Sequence, residues 1–256
     1  MPETATQTAD DAPTGNDLAA LRAEIDTLDD AIHDLLMRRA EVVARLAASR
    51  TKGNGPAIRP GREAVILRRL LSRHRGALPR AALVRLWREL LGATTGMQAP
   101  LTVAAWLPDA GIEVLRSHLG LSTAVTRLPD DTAALAACEA GKAALAALPL
   151  AGRWWRTLPP SRLFVTARLP FFGASDATVF LLSPTPPDPS GDDRSLVRAP
   201  RAALASLADA GLAGTPLTEA DGRMLLELPG FLEAGDRRLS ALGVTLLGAY
   251  ASPILD

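Results

Sequence analysis

Apolar residues recur at Leu18, Leu21, Ile25, Leu28, Ile32 and Leu35, in alternating steps of three and four. That spacing draws a heptad seam along one face of a helix. No Gly or Pro interrupts residues 18–50; Asn16 or Asp17 can cap the start, and the Gly- and Pro-containing run 51–56 ends it. At about 1.5 Å per residue the helix is roughly 50 Å long. This exceeds what a compact domain of this size accommodates, so the helix is expected to pair with another chain. After a loop over 53–61, a second helix runs to about His74, with Val65, Ile66, Leu67, Leu70 and Leu71 on its apolar side, and Gly76 stops it. Pro79 suits the first turn of a third, which carries Leu83, Leu86, Trp87, Leu90 and Leu91. Thr94 and Gln98, at i and i+4, continue that stripe and point inward, where polar groups need partners. The other reading has Thr94 bonding its own backbone and Gln98 at a frayed end.

From Leu101 the pattern changes. A short buried strand is predicted over 101–106, then helices over 111–119 and 133–147 and strands over 163–165 and 177–182. A Pro-, Gly- and Asp-rich loop covers 183–193. Helices are predicted over 201–210 and 234–242, and strands over 223–228 and 244–250. Trp154 and Trp155 read as packing at a domain junction. The chain is therefore multidomain: a tail (1–16), an all-α segment (17–99), a smaller α/β region (100–193) and an α+β tail (194–256).

The first helix carries an anomaly. Continuing the series Leu18, Ile25, Ile32 by seven reaches Arg39, and a charge on a core stripe is costly without a counter-charge. Arg22 and Arg50 share another register and lie about 42 Å apart along one helix, too far to hold one small ligand within one chain. Antiparallel packing against a second copy brings Arg22 of one chain toward the Arg39 and Arg50 region of the other. That would make a polycationic pocket for a small polyanion. Arginines snorkelling on a solvated coiled coil are the alternative.

Composition narrows the classes. The 256 residues hold 28 Lys plus Arg against 28 Asp plus Glu, which argues against a nucleic-acid or membrane-surface protein. The arginines of 59–88 interleave with helix-core residues and lack stacking aromatics, as on a solvated face. The single cysteine, Cys138, excludes an internal disulfide, fits a reducing, cytoplasmic setting and reads as a buried, inert thiol. Residues 1–16 resemble a disordered tail, without the basic start and apolar block of a signal peptide. His33, His74 and His118 lack metal-ligand spacing and read as surface or boundary residues; no metal and no cofactor is expected.

Three helices, long then medium then medium, resemble the all-helical class of chorismate mutase. The resemblance covers about 18–98. It rests on Leu21-Arg22 with Ile25 and Leu28-Asp29, on Arg39 and Arg50, on Ile58-Arg59 with Arg62-Glu63, and on Thr94 with Gln98. It implies an intertwined homodimer whose two pockets are each completed by one residue from the partner, and chorismate as substrate. By this resemblance Arg22 from the neighbouring chain and Arg39 grip the two carboxylates. Arg62 helps position a carboxylate, and Arg50, where Lys is usual, contacts the ether oxygen and a carboxylate. Glu63 accepts the ring hydroxyl, Thr94 stands where Ser is common, and Gln98 donates to the ether oxygen. Pro60-Gly61 occupies a turn where an acidic residue is often found, and Arg for Lys at 50 changes donor geometry. The chemistry suits these residue types: the rearrangement to prephenate is unimolecular and needs no nucleophile or base. It needs the dianion held folded, and positive charge or donors where the breaking C–O bond gathers negative charge.

The second half is similar to prephenate dehydratase. Val103 to Pro108 with Leu119-Gly120 resembles its opening strand and helix, and 133–150 a segment that ends there in a polar motif but here in Pro149-Leu150-Ala151-Gly152. Thr178-Val179-Phe180 stands where that family has Thr-Arg-Phe, the Arg being lost, and a second lobe is missing. The expectation is no cleft and no dehydratase activity. The tail resembles an ACT regulatory domain, with the closing strand at 244–250 but no recognisable phenylalanine-binding motif near 216–222. A non-catalytic dimeric regulatory or metabolite-sensing protein retaining a mutase-like scaffold is the competing reading.

Overall fold

The computed structural model describes residues 15–50, 58–159 and 162–255. Its first compact unit ends at Gly53 and the second begins at Asn54. The described part of the first unit is the predicted long helix, α1 (Gly15–Arg50), of 36 residues. The seam residues Leu18, Leu21, Ile25, Leu28, Ile32 and Leu35 are all exposed, as are Val42 and Leu46.

The second unit opens with α2 (Pro60–Arg73) and α3 (Arg80–Gly96), close to the predicted bounds. Pro60 stands at the first helical position, where its missing N–H costs nothing. The sequence texture places a boundary after 99, whereas here α2 and α3 belong with the sheet that follows. The reason is their apolar faces: Ala64, Leu67 and Leu91 pack with Phe171 and Ala251, and Leu71, Leu83 and Val84 with Phe172 and Ile254.

Beyond them lie β1 (Thr102–Ala105), α4 (Asp109–Leu119), β2 (Ala124–Arg127), α5 (Asp131–Glu139) and β3 (Leu145–Pro149). β2 and β3 flank β1 in parallel. β4 (Phe164–Leu169) and β5 (Val179–Ser183) pair antiparallel, and β5 adds antiparallel to β3. The tail runs β6 (Asp193–Pro200), α6 (Ala203–Asp209), β7 (Thr215–Ala220), β8 (Arg223–Pro229), α7 (Arg237–Ala241) and β9 (Thr245–Ala251). Its βαββαβ order, with strands arranged β9-β6-β8-β7, is the ACT-like ferredoxin pattern. A parallel pairing of Val165 with Gly248 joins β4 to β9. One nine-stranded sheet, β2-β1-β3-β5-β4-β9-β6-β8-β7, therefore passes residue 193 without a break.

Several predicted elements need correction. Residues 133–147 are not one helix: α5 ends at Glu139, Gly141 turns the chain at φ 69°, and 145–149 is the buried strand β3. β2, β6 and β7 were not legible as strands. His118 is buried in α4 and is not a surface residue. Trp154 and Trp155 are buried where Leu148 meets Leu196, Leu225 and Leu247, and Trp154 Nε1 donates to Pro149 O at 2.9 Å. Cys138 is buried, and desolvation pushes its thiol up to about 11, as an inert side chain requires.

Candidate active site

On α1, Arg22 is exposed and Arg39 half-buried. Desolvation lowers the pKa of the Arg39 guanidinium, the direction burial imposes on any cation. Arg50 is the last residue of α1, and its side chain lies outside the described residues.

Of the other four candidates, Arg62 and Glu63 lie on α2, Thr94 on α3 and Gln98 in the turn just after α3. Arg62 and Glu63 occupy the first turn of α2, where a carboxylate also suits the helix dipole. Arg62 is exposed, whereas Glu63 is drawn inward. Its Oε2 accepts from Arg88 at 2.9 Å, with side-chain exposures of 17% for Glu63 and 5% for Arg88. Burial raises the pKa of the Glu63 carboxyl; the Arg88 charge and hydrogen bond oppose this, while Asp188 reinforces it. Burial brings Arg88 down to about 10, so it remains protonated at neutral pH. Its Cζ also lies 4.9 Å from the centroid of the Phe171 ring, within cation–π range. Thr94 is buried and its Oγ1 donates to Leu90 O at 2.7 Å, the back-bonding open to a helical Thr. Gln98 Nε2 donates to Thr94 O at 3.1 Å.

Arg88 is absent from the sequence-derived candidates, and His118 reads there as a surface or boundary residue although it is buried. Arg88 had a signal: it lies four residues after Val84 and three before Leu91, on the same stripe, with Glu63 available as its counter-charge. His118 Nδ1 is buried with no hydrogen-bond partner among the described residues. A cavity of about 10 Å³, lined by Glu63, Thr95, His118 and Thr166 among others, adjoins it. That is room for one water. Burial first, and the Arg88 charge second, hold the pKa of His118 well below its usual value.

The unfolded chain therefore takes up a proton near pH 6.5 that the folded chain refuses. Stability contributed by neutral His118 is present above that pH and declines below it, by up to about 1.4 kcal/mol per pH unit. Glu63, with its raised pKa, acts in the opposite sense above about pH 4.5, the fold holding a proton the unfolded chain has released. Urea unfolding between pH 5 and 7 should show stability rising with pH. His118→Leu should flatten that slope; an unchanged slope would clear His118 of the role.

A cleft of about 510 Å³ opens beside the C-terminal ends of β1 and β3, lined by Leu107, Gly111, Leu150, Asp176, Thr178 and Leu217 among others. The expectation of no cleft is thus corrected. Its walls are mostly apolar, and Asp176 is the charged residue among those that line it.

Residues 21–99 match the family model of chorismate mutase type II. This segment is a chorismate mutase domain. A bifunctional chorismate mutase/prephenate dehydratase of Neisseria gonorrhoeae is 39% identical over 83 residues, 32% of this chain and 22% of that protein. Proteins of the same description from Stutzerimonas stutzeri and Aquifex aeolicus are each 34% identical, over 97 and 98 residues. The match spans about a quarter of the length of these relatives. Among solved structures, GqqA, described as a novel type of quorum quenching acylase, has a TM-score of 0.46 at 21% identity, covering 59% of this chain and 95% of its own. A prephenate dehydratase from Streptococcus mutans has a TM-score of 0.41 at 14% identity, over 59% and 98%. The matched segment takes in α1 from Leu21 onward, α2, α3 and the turn after it, and all seven candidate residues fall within it.

Proposed function

We propose that the protein is an isomerase that converts chorismate to prephenate by Claisen rearrangement, in aromatic amino-acid biosynthesis in the cytoplasm. The observation that carries this is the mutase match over 21–99; Arg22, Arg39, Arg50, Arg62, Glu63, Thr94 and Gln98, which the resemblance assigns to chorismate, lie within that segment. Arg39 and Arg22 bind the two carboxylates, with Arg62 assisting. Arg50 is assigned to the ether oxygen and a carboxylate, Gln98 to the ether oxygen, and Glu63 to the ring hydroxyl through the oxygen that Arg88 leaves. The working form is a homodimer in which Arg22 serves the partner's pocket. The exposed apolar seam of α1 supports this reading, because a stripe of that length left in water marks an association surface.

Dehydratase activity is absent on this reading. The cleft by β1 and β3 lacks a cation among its lining residues, and a dicarboxylate needs one. Purified protein given chorismate should consume it and accumulate prephenate, with no phenylpyruvate. Persistence of chorismate would reject the isomerase assignment, and phenylpyruvate would reject the second part alone. A non-catalytic metabolite sensor draws support from Glu63 being engaged by Arg88 and Thr94 by its own helix. Its signature is a thermal shift with prephenate or phenylalanine without turnover.

A further inference from the structure

The turn into α2 reads Arg59-Pro60-Gly61 and carries no acid of its own. Arg59, at the N-cap, provides no side-chain cap. The cap comes from 127 positions along the chain: Asp188 Oδ1 accepts from the Gly61 N–H at 3.1 Å, and its Oδ2 lies 3.2 Å from Arg59. The approach is so close that a Cβ on Gly61 would sit 2.3 Å from Asp188 O. Only glycine lets the two backbones meet here.

The loop that delivers Asp188 is fastened twice more. Arg68, two turns along α2, donates to the carbonyls of Ser190, Asp192 and Ser252 at 3.3, 2.7 and 2.9 Å. Asp193 in turn accepts from the Ser190 and Gly191 N–H groups at 2.9 and 3.1 Å. The loop is thus a brace laid along α2, and the residues immediately after its first anchor are Arg62 and Glu63.

We propose that Asp188 is a positioning residue of the mutase site: from the C-terminal half it fixes the first turn of α2 and so the aim of Arg62 and Glu63. This rests on the isomerase reading. It gives the sheet-bearing half a part in mutase function through a hydrogen bond and an ion pair, with no ligand of its own. Because both governed residues bind substrate, loosening the turn should act on KM. A variant that merely lost folded protein would lower apparent kcat and leave KM alone.

The test is chorismate kinetics on the full chain with Asp188→Ala, Asp188→Asn and Gly61→Ala, with amide hydrogen exchange in parallel. Asp188→Ala should raise KM about tenfold, the equivalent of a lost helix cap, with kcat within about twofold. Exchange should quicken at residues 61–64 and not in the sheet. Asp188→Asn keeps an acceptor for the Gly61 N–H and should stay within about threefold of wild type. Gly61→Ala attacks the same contact from the other side and should reproduce the KM effect even if Asp188→Ala fails to fold. Wild-type KM in both Asp188→Ala and Gly61→Ala, or a fall in kcat alone, would overturn the proposal. A wild-type protein inert toward chorismate would instead overturn the isomerase reading beneath it.

Discussion

Replacing Arg88 by alanine should destabilise the sheet-bearing unit by about 3–5 kcal/mol, the range for breaking one side of a buried ion pair. The physical cause is the carboxylate left behind. Glu63 has its Oε2 on Arg88 at 2.9 Å, and burial already pushes its pKa upward with Arg88 present. Without the guanidinium it must either stay charged in a dry site or take up a proton. The penalty therefore depends on pH: it is largest where Glu63 is ionised in the unfolded chain and shrinks as acid supplies the proton. Urea unfolding followed through the buried Trp154 and Trp155 should show a larger deficit at pH 8 than at pH 5. Combining Arg88→Met with Glu63→Leu should recover most of the loss, because no buried charge remains. A deficit equal at both pH values, and not relieved in the double variant, would point to lost packing against Phe171 as the larger cause.

The same pair shows why some of the site could be read from the sequence and some could not. The heptad seam of α1 reads directly, since 18–50 has one period and no breaker. Arg39 was conspicuous for breaking it. Arg88 breaks a stripe in the same way, but its counter-charge stands on another helix, which only the fold brings near. Asp188 had no local signal: it lies in a Pro-rich loop, and its function is defined by a backbone N–H 127 residues away. Residues 133–147 mislead because alanine is the strongest helix former, while the pairing of β3 between β1 and β5 overrides that local preference at 145–149. Gly141 was the sign of the break. Thr94 and Gln98 read as inner-stripe residues, with Thr94 bonding its own backbone and Gln98 at a frayed end as the alternative; the structure gives both a backbone carbonyl as acceptor.

Arg39→Ala should lower kcat/KM for chorismate by about 10²–10³-fold, the cost of removing one preorganised electrostatic partner of the transition state. The stability of the fold should change little. The argument runs from the seam: a half-buried guanidinium with a desolvation-lowered pKa occupies a heptad position that an apolar residue would fill at less cost. Retaining it makes sense if its planar fork binds a dicarboxylate. Arg39→Lys separates charge from geometry. Lysine keeps the positive charge but loses the planar fork that meets a carboxylate with two parallel bonds, so its activity should fall between wild type and alanine. Arg39→Leu completes the hydrophobic seam and should make α1 association at least as strong while abolishing turnover, so that loss of activity is not mistaken for loss of the dimer. Sedimentation of each variant beside its kinetics checks this. If Arg39→Ala turns over chorismate at close to the wild-type rate, the guanidinium is a snorkelling surface group and the seam has no catalytic meaning.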